Sequence, residues 1–261
     1  DLALRALVGP GDEVIIPEPS FVAYKGCTTF TGATAKTIDL RACDDFKLTP
    51  ELLEEAITEK TKVVIIPFPN NPTGAIMNKE ELQKIVDVLK DKDVIIISDE
   101  IYAELSYDED HVSIASFPEV KEKTIVINGF SKAYAMTGWR LGYVCAHKVL
   151  IDAMKKIHQY AIMCSPTTAQ YAAIEALKNG DESVFEMARE YNRRRRVLVD
   201  GFRSMGLDCF EPLGALYVFP CIKSTGMSSD EFCEKLLLEE KVLAVPGNAF
   251  GECGEGFIRA C

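Results

Sequence analysis

Three short apolar runs separated by helical patterns limit the folds open to this chain. The runs cover residues 62–67, 94–98 and 124–128 and are rich in Val and Ile. A continuous apolar run predicts a strand covered on both faces, which is typical of parallel sheets. Residues 79–90 carry apolar side chains at 82, 85, 86 and 89, the spacing of a helix. The alternation predicts an α/β fold with a mostly parallel sheet, of a seven-stranded type, flanked by helices.

The character of the chain changes inside a long helix that the pattern predicts over residues 181–204. We therefore predict a large domain at 1–185 and a smaller α+β domain at 186–261. The elements predicted for the smaller domain are strands at 207–210, 214–219 and 242–245 and a helix at 229–239. Residues 1–8 have the pattern of the second half of an amphipathic helix, and the last residues resemble an unclosed strand. We expect both domains to be incomplete at these ends.

The charge of the chain argues against two classes of partner. Its formal net charge is −11, whereas nucleic acids and anionic membranes attract a basic surface. The one basic run, Arg193 to Arg196, lies in a helical pattern, and we predict a solvated face with a few ion pairs there. No apolar run approaches the length of a membrane span. We predict neither a nucleic-acid nor a membrane partner.

The cysteines and histidines do not follow the spacing of a metal site. Nine cysteines are scattered without a CxxC pair, several of them in apolar surroundings, and the three histidines share no ligand spacing. This pattern indicates reduced thiols in a cytoplasmic protein and predicts no metal.

Lys132 follows the strand at 124–128 after the breaker pair Asn128-Gly129. An amine at a strand end, beside small residues and a serine, can form a Schiff base with an aldehyde cofactor. Ser131 and Arg140 add a hydroxyl and a guanidinium, the groups that bind a phosphate. Taken alone, Ser-Lys is more often a surface pair, so the interpretation depends on the neighbouring residues.

Asp99 comes at the carboxyl end of the strand at 94–98, where open α/β sheets bind ligands. A carboxylate buried there requires a partner, and a protonated pyridine nitrogen is one such partner. Tyr102, three residues later, could donate its phenol to a ring oxygen. The alternative is an aspartate that caps the next element, with Tyr102 as an aromatic at the rim.

The strings around Lys132 resemble a long signature. Gly129-Phe130-Ser131-Lys132, Ala135-Met136 and Gly138-Trp139-Arg140-Leu141-Gly142 resemble the pyridoxal-phosphate attachment sequence of class I/II, fold-type I aminotransferases. SDEIYAEL and PGNAFGECGEGFIRAC are similar to the bacterial branch that contains aspartate, aromatic and aminotransferase A-type enzymes. The resemblance covers almost the whole chain. It implies a large cofactor-binding domain, a smaller C-terminal domain and a homodimer with active sites at the subunit interface.

The resemblance also implies roles for particular residues. Lys132 carries the cofactor pyridoxal 5'-phosphate, Asp99 faces its ring nitrogen, and Phe21 stacks on its ring. Tyr102, Ser131 and Arg140 complete the expected cofactor site. Asn71, in Pro-Asn-Asn-Pro-Thr-Gly, binds the ring oxygen and the substrate carboxylate, and Arg259 clamps that carboxylate. The family's Asn-Pro bond is often cis, so we predict a cis bond between Asn71 and Pro72.

The function implied is transfer of an amino group between an L-amino acid and a 2-oxo acid. The family's glycine-rich phosphate loop and N-terminal segment would precede residue 1, so we expect this chain to lack part of the site. Three alternatives stay open: a C–S lyase on the same scaffold, a non-catalytic pyridoxal-phosphate sensor, and a dinucleotide-binding protein. The last is disfavoured because no GxGxxG follows a first strand.

Overall fold

The computed structural model describes residues 1–261, which form eight α-helices and eight strands. The strands are β1 Glu13–Glu18, β2 Thr34–Asp39, β3 Thr61–Ile66, β4 Ile95–Asp99, β5 Thr124–Gly129, β6 Gly142–Cys145, β7 Val245–Pro246 and β8 Ile258–Arg259. The helices are α1 Leu2–Leu7, α2 Ala23–Thr31, α3 Pro50–Ala56, α4 Lys79–Leu89, α5 Lys148–Ala161, α6 Thr167–Asn179, α7 Asp181–Ser204 and α8 Ser229–Glu240. Helices follow strands along the first half of the chain, as the sequence predicts.

The central sheet has six strands in the order β2-β1-β3-β4-β5-β6. All pairings among the first five strands of this order are parallel, and β6 pairs antiparallel with β5. The mostly parallel α/β prediction is confirmed. The expected sheet was of a seven-stranded type, whereas six strands of this chain form the sheet. The apolar pattern did not single out β6, a four-residue edge strand whose side chains are all exposed.

Both faces of the sheet are covered, because neighbouring residues of one strand enter different hydrophobic clusters. Ile15 and Val64 belong to a cluster of 25 buried residues that also contains side chains of α3 and α4. Val14 and Val63 belong to a second cluster on the opposite face, together with side chains of α1 and α5. This double coverage is the physical reason that these strands are continuous apolar runs.

Of the three strands predicted for the C-terminal region, two are absent as regular elements, and the third, predicted at 242–245, is reduced to the two residues Val245–Pro246. Residues 207–210 and 214–219 make only isolated bridges, including Cys209 with Pro220 and Val218 with Ala260. Prolines at 212 and 220 have no N–H to donate to a ladder, and Ala215 has a left-handed backbone with φ 58°. Regular pairing is therefore interrupted on each side of a short extended segment.

The C-terminal region packs against the large sheet through aromatic side chains. Phe219 is fully buried and stacks on Phe257 with ring centroids 5.1 Å apart and an interplanar angle of 4°. Both rings also meet the edge of Phe46, which precedes α3. The helix α7 runs unbroken across residue 185. The division into domains at that position stays a prediction, although residues on both sides of it share one core.

The arginine run at 193–196 is partly a solvated face and partly a structural ion pair, which confirms the prediction. Arg193 and Arg194 are exposed and pair with Glu190. Arg195 is buried and donates to Glu211 at 2.6 Å and to the carbonyl of Pro212 at 2.8 Å. All nine cysteines are free thiols, and no helix has the length and apolar character needed to cross a membrane.

Phe219→Ala is expected to lower the free energy of unfolding by about 3–5 kcal/mol, because it leaves a cavity among stacked rings. Phe30→Ala is the matched control: Phe30 is 72% exposed, so the change should stay within about 0.5 kcal/mol. Urea unfolding followed by circular dichroism measures both. A loss no larger than the control's would contradict the shared aromatic core.

Candidate active site

The carboxyl ends of β3, β4 and β5 meet at one edge of the sheet because these strands are parallel and adjacent. A cavity of about 370 Å³ lies there, within the range of small-molecule sites. Its lining includes all eight predicted site residues: Phe21, Asn71, Asp99, Tyr102, Ser131, Lys132, Arg140 and Arg259. Tyr24, Pro69, Ile101, Ile127, Thr137 and Tyr217 complete the lining.

Asp99 is the last residue of β4 and has only uncharged partners. Its Oδ2 accepts a 2.7 Å hydrogen bond from the Tyr24 hydroxyl, and its Oδ1 accepts one from the backbone N–H of Ile101 at 3.2 Å. Desolvation raises the pKa of Asp99, although both hydrogen bonds oppose the shift. A carboxylate held in this way is suited to a cationic partner in the cavity.

Glu100, the next residue, serves a different purpose. Its side chain is buried and accepts hydrogen bonds from Ser98 at 2.8 Å and Ser113 at 2.7 Å. Burial by itself would raise the pKa of Glu100, but the neighbouring His111 and the hydrogen bonds from the two serines lower it overall. Because these neighbours satisfy the carboxylate and it does not line the cavity, Glu100 has a structural role.

Lys132 lies just beyond β5, and its amine faces the cavity above an aromatic ring. Its Nζ lies 5.7 Å from the centroid of the Tyr102 ring. The backbone turns tightly after it: Ala135 donates its N–H to the Lys132 carbonyl at 3.2 Å and has φ 53°. This turn directs the amine toward the strand ends and away from the following loop.

Ser131 and Arg140 belong to a loop that folds back on itself through Thr137. The Thr137 hydroxyl donates to the Ser131 carbonyl at 2.9 Å, and Arg140 donates from Nη1 to the Thr137 carbonyl at 2.8 Å. Arg140 is exposed and has a left-handed backbone with φ 53°. The Thr137 hydroxyl is thus used within the loop, which leaves the Ser131 hydroxyl and the Arg140 guanidinium together on the cavity lining as donors suited to a phosphate.

Asn71 and Arg259 come from distant parts of the chain and meet directly. Arg259 donates from Nη1 to Asn71 Oδ1 at 2.9 Å, and its Nε is buried without a hydrogen-bond partner. The Asn71–Pro72 bond is cis, which confirms the prediction. A guanidinium that pairs with no carboxylate of its own chain has donors left for an anion in the cavity.

The roles expected for two aromatic residues, Tyr102 and Phe21, stay predictions. The Tyr102 hydroxyl lies 2.8 Å from that of Tyr217, so it already has one partner, and its donation to a ring oxygen stays a prediction. Phe21 is 44% exposed and meets Tyr24 edge to face at 5.7 Å, so its stacking role also stays a prediction. Burial raises the pKa of Tyr102, which keeps its phenol protonated.

The sequence indicated Tyr24 only as a weaker candidate than Phe21, and it did not identify Tyr217 as a site residue. Tyr24 lies one helical turn after Phe21, and that spacing was the only local signal available. Tyr217 lies in Gly-Ala-Leu-Tyr-Val-Phe, which resembles a buried strand and carries no signal of a site. Its position in the cavity is decided by tertiary contacts alone.

These residues fit pyridoxal phosphate. The group has an aldehyde, a protonated ring nitrogen and a phosphate. The cavity offers the amine of Lys132, the carboxylate of Asp99 without a cationic partner, and the donors of the loop that contains Ser131 and Arg140. Fold and site together define a fold-type I transferase of the pyridoxal-phosphate class.

Comparison with known proteins gives the family. The model of aminotransferase class I and II matches residues 1–261, and the chain belongs to this family, whose members are pyridoxal-phosphate-dependent transaminases. It is 54% identical over 259 residues to a putative aminotransferase, YugH, from Bacillus subtilis, covering 99% of this chain and 67% of that protein. It is 44% identical over 261 residues to an aspartate aminotransferase from Pyrococcus abyssi, with 99% and 67% covered.

Solved structures agree with the fold. The aromatic aminotransferase from Pyrococcus horikoshii superposes with a TM-score of 0.96 at 43% identity, covering 99% of this chain and 70% of that one. An aspartate aminotransferase from Thermus thermophilus gives a TM-score of 0.93 at 37% identity, covering 99% and 67%. The chain spans about two thirds of the length of the curated relatives it matches. The family match overturns the dinucleotide-binding alternative.

Asp99→Asn is expected to raise the Tm of the ligand-free chain at neutral pH. Asparagine keeps an oxygen for Tyr24 but removes a charge that burial disfavours. The pKa of Asp99 is higher in the folded chain than in the unfolded chain. The buried charge therefore destabilises the wild-type fold fully at pH values above the folded-state pKa, and this destabilisation disappears below the unfolded-state pKa of about 3.9. The gain should therefore shrink as pH falls toward about 4.

Scanning calorimetry across this pH range measures the difference in Tm. Asp91→Asn, at an exposed position, is the control and should show no such pH-dependent gain. A lower Tm for Asp99→Asn at neutral pH would show that the carboxylate stabilises the free chain, contrary to this account.

Proposed function

We propose that this chain is the greater part of a pyridoxal-phosphate-dependent aminotransferase that moves an amino group between an L-amino acid and a 2-oxo acid. We also propose that the enzyme is cytoplasmic and works as a homodimer with active sites at the subunit interface. The single observation that carries the proposal is the convergence of Lys132, Asp99 and Arg259 on one cavity. The Lys132 amine would react with the cofactor's aldehyde and the Asp99 carboxylate would bind its pyridinium. The Arg259 guanidinium would bind the substrate's carboxylate.

Binding of the cofactor is assigned to residues on two sides of the cavity. Asp99 would take the protonated ring nitrogen, and Tyr24 and the Ile101 amide keep its carboxylate oriented. Arg140 and Ser131 would hold the phosphate. When bound, pyridoxal phosphate supplies an aldehyde that condenses with amines and a ring that delocalises negative charge from the substrate's Cα.

Lys132 would act as the acid–base group of the reaction. Its Nζ would take the proton from the substrate's Cα as a base and then, as an acid, donate it to the carbon of the cofactor's aldehyde group, which is the proton shift that amino transfer requires. The neighbouring Tyr102 ring covers one side of this amine.

Arg259 and Asn71 would recognise the part that all substrates share. The Arg259 guanidinium, which pairs with no carboxylate of the chain, and the Asn71 amide line the cavity side by side and would bind one α-carboxylate. The relatives bear names for different substrates, among them aspartate and aromatic amino acids. A clamp on the common carboxylate supports amino acids and 2-oxo acids as a class and leaves the side chain unassigned.

Exposed apolar side chains support the homodimer. Large exposed apolar side chains concentrate between residues 139 and 185: Trp139, Tyr143, Val144, Val149, Tyr160, Ile162, Met163, Tyr171, Ile174, Leu177 and Phe185. Such a concentration is typical of a covered surface. Light scattering on the purified protein measures the mass directly.

Lys132→Ala is expected to lower turnover by several orders of magnitude, because it removes both the attachment amine and the acid–base group. The measurement is amino transfer over a panel of amino acids and 2-oxo acids. A second readout is borohydride trapping of pyridoxal phosphate, which should add mass to the peptide that contains Lys132. Lys121→Ala, at an exposed position, is the control for loss of a lysine.

Normal transfer by Lys132→Ala, or trapping at another lysine, would contradict the proposal. Product analysis separates the remaining alternatives. Pyruvate with ammonia in place of amino exchange would indicate a lyase, and cofactor trapping without any turnover would indicate a sensor.

A further inference from the structure

We propose that Tyr217 is a positioning residue that holds Arg259 with its ring and directs the phenol of Tyr102 with its hydroxyl. This inference rests on the function proposed above and adds a residue from the C-terminal region to the site. Tyr217 is buried at 8% exposure and lines the cavity.

The ring of Tyr217 holds the guanidinium from one face. Cζ of Arg259 lies 4.5 Å from the centroid of Tyr217, and Phe250 contributes a second ring at 4.8 Å. Aromatic faces attract a cation without using its N–H groups. The guanidinium is thereby fixed while its Nε keeps a free donor. If Arg259 were instead held by a carboxylate of the chain, that carboxylate would occupy the N–H groups that a substrate needs.

The hydroxyl of Tyr217 completes a pair with Tyr102. The two oxygens are 2.8 Å apart, and the rings meet edge to face at 5.7 Å and 78°. Either hydroxyl can be the donor in this pair, and in our proposal it is Tyr217, which leaves the proton of Tyr102 for a group in the cavity. A phenol that accepts one hydrogen bond is a stronger donor in the next, because such chains polarise one another.

The backbone places Tyr217 between the two residues that it positions. On one side, Ala215 donates its N–H to the carbonyl of Leu105, three residues after Tyr102, at 2.9 Å. On the other side, Val218 and Ala260 exchange two hydrogen bonds of 2.9 Å, next to Arg259. The segment is therefore tied at both ends to the parts of the chain that carry Tyr102 and Arg259.

The same segment lies close against the loop that contains Asn71. A Cβ on Gly214 would lie 2.6 Å from Cβ of Pro69 and 2.7 Å from Cγ2 of Ile76. Gly214 donates its N–H to the Gly74 carbonyl at 2.9 Å. This close approach brings Tyr217 to the loop whose Asn71 accepts from Arg259, so one segment fixes the whole clamp.

Two substitutions separate the two roles. Tyr217→Phe keeps the ring and removes the hydroxyl, whereas Tyr217→Leu removes both. Tyr191→Leu is the matched control, since Tyr191 packs against the same Tyr102–Tyr217 cluster without contacting Arg259. The probe for the clamp is maleate, a dicarboxylate, titrated calorimetrically into the chain with and without pyridoxal phosphate. The probe for the phenol is the pH midpoint of the visible absorbance of the bound cofactor.

For Tyr217→Leu we expect the Kd of maleate and the KM of both substrates to rise about tenfold. For Tyr217→Phe we expect an unchanged Kd of maleate and a pH midpoint moved to higher pH, because Tyr102 becomes a weaker donor. The inference is overturned if Tyr217→Leu affects maleate no more than Tyr191→Leu does. It is also overturned if Tyr217→Phe leaves the midpoint in place, or if the wild-type chain does not bind maleate.

These outcomes are distinct from failure of the proposed function. A wild-type chain that binds maleate but transfers no amino group contradicts the aminotransferase, and the Kd ratio of the variants still tests the clamp. A wild-type chain that transfers amino groups while Tyr217→Leu binds maleate normally contradicts the role of Tyr217 alone. Melting temperatures of the three variants separate an unfolded protein from a displaced arginine.

Discussion

Parallel pairing of β3, β4 and β5 is the constraint on which the rest of the structure depends. Because these strands run in the same direction side by side, the residues that follow each of them meet at one edge. Asn71, Asp99 and Lys132 are distant in sequence, yet each follows or ends one of these strands. Burial of both sheet faces by apolar side chains makes this arrangement rigid, so polar groups at the edge keep fixed positions.

Two charges of opposite sign are held in the cavity without pairing with each other. Asp99 is oriented by Tyr24 and a backbone amide, and Arg259 by Asn71 and two aromatic rings. A charge removed from water without an ionic partner costs free energy, and neutral hydrogen bonds offset only part of that cost. The fold bears this cost at its site, where a ligand with a cationic nitrogen and an anionic group would compensate both charges.

The C-terminal region is as much a part of the site as the sheet is. Its aromatic side chains, Phe219 and Phe257, enter the core of the large sheet, and the same region supplies Arg259 and Tyr217. Close packing transmits position between these elements, because a core at crystal-like density leaves little room for adjustment. The clamp for a carboxylate is therefore fixed by the same contacts that attach the region.

The sequence by itself determined the α/β class, the order of strands and helices to Ser204 apart from β6, and the candidate residues from Phe21 to Arg259. These follow from apolar periodicity and from a long motif, both of which are local along the chain. Only the tertiary structure decided that residues 207–210 and 214–219 make isolated bridges, that the Tyr102 hydroxyl meets Tyr217, and that Tyr24 supports Asp99. These contacts join residues up to 115 positions apart, and no local pattern encodes a partner at that distance.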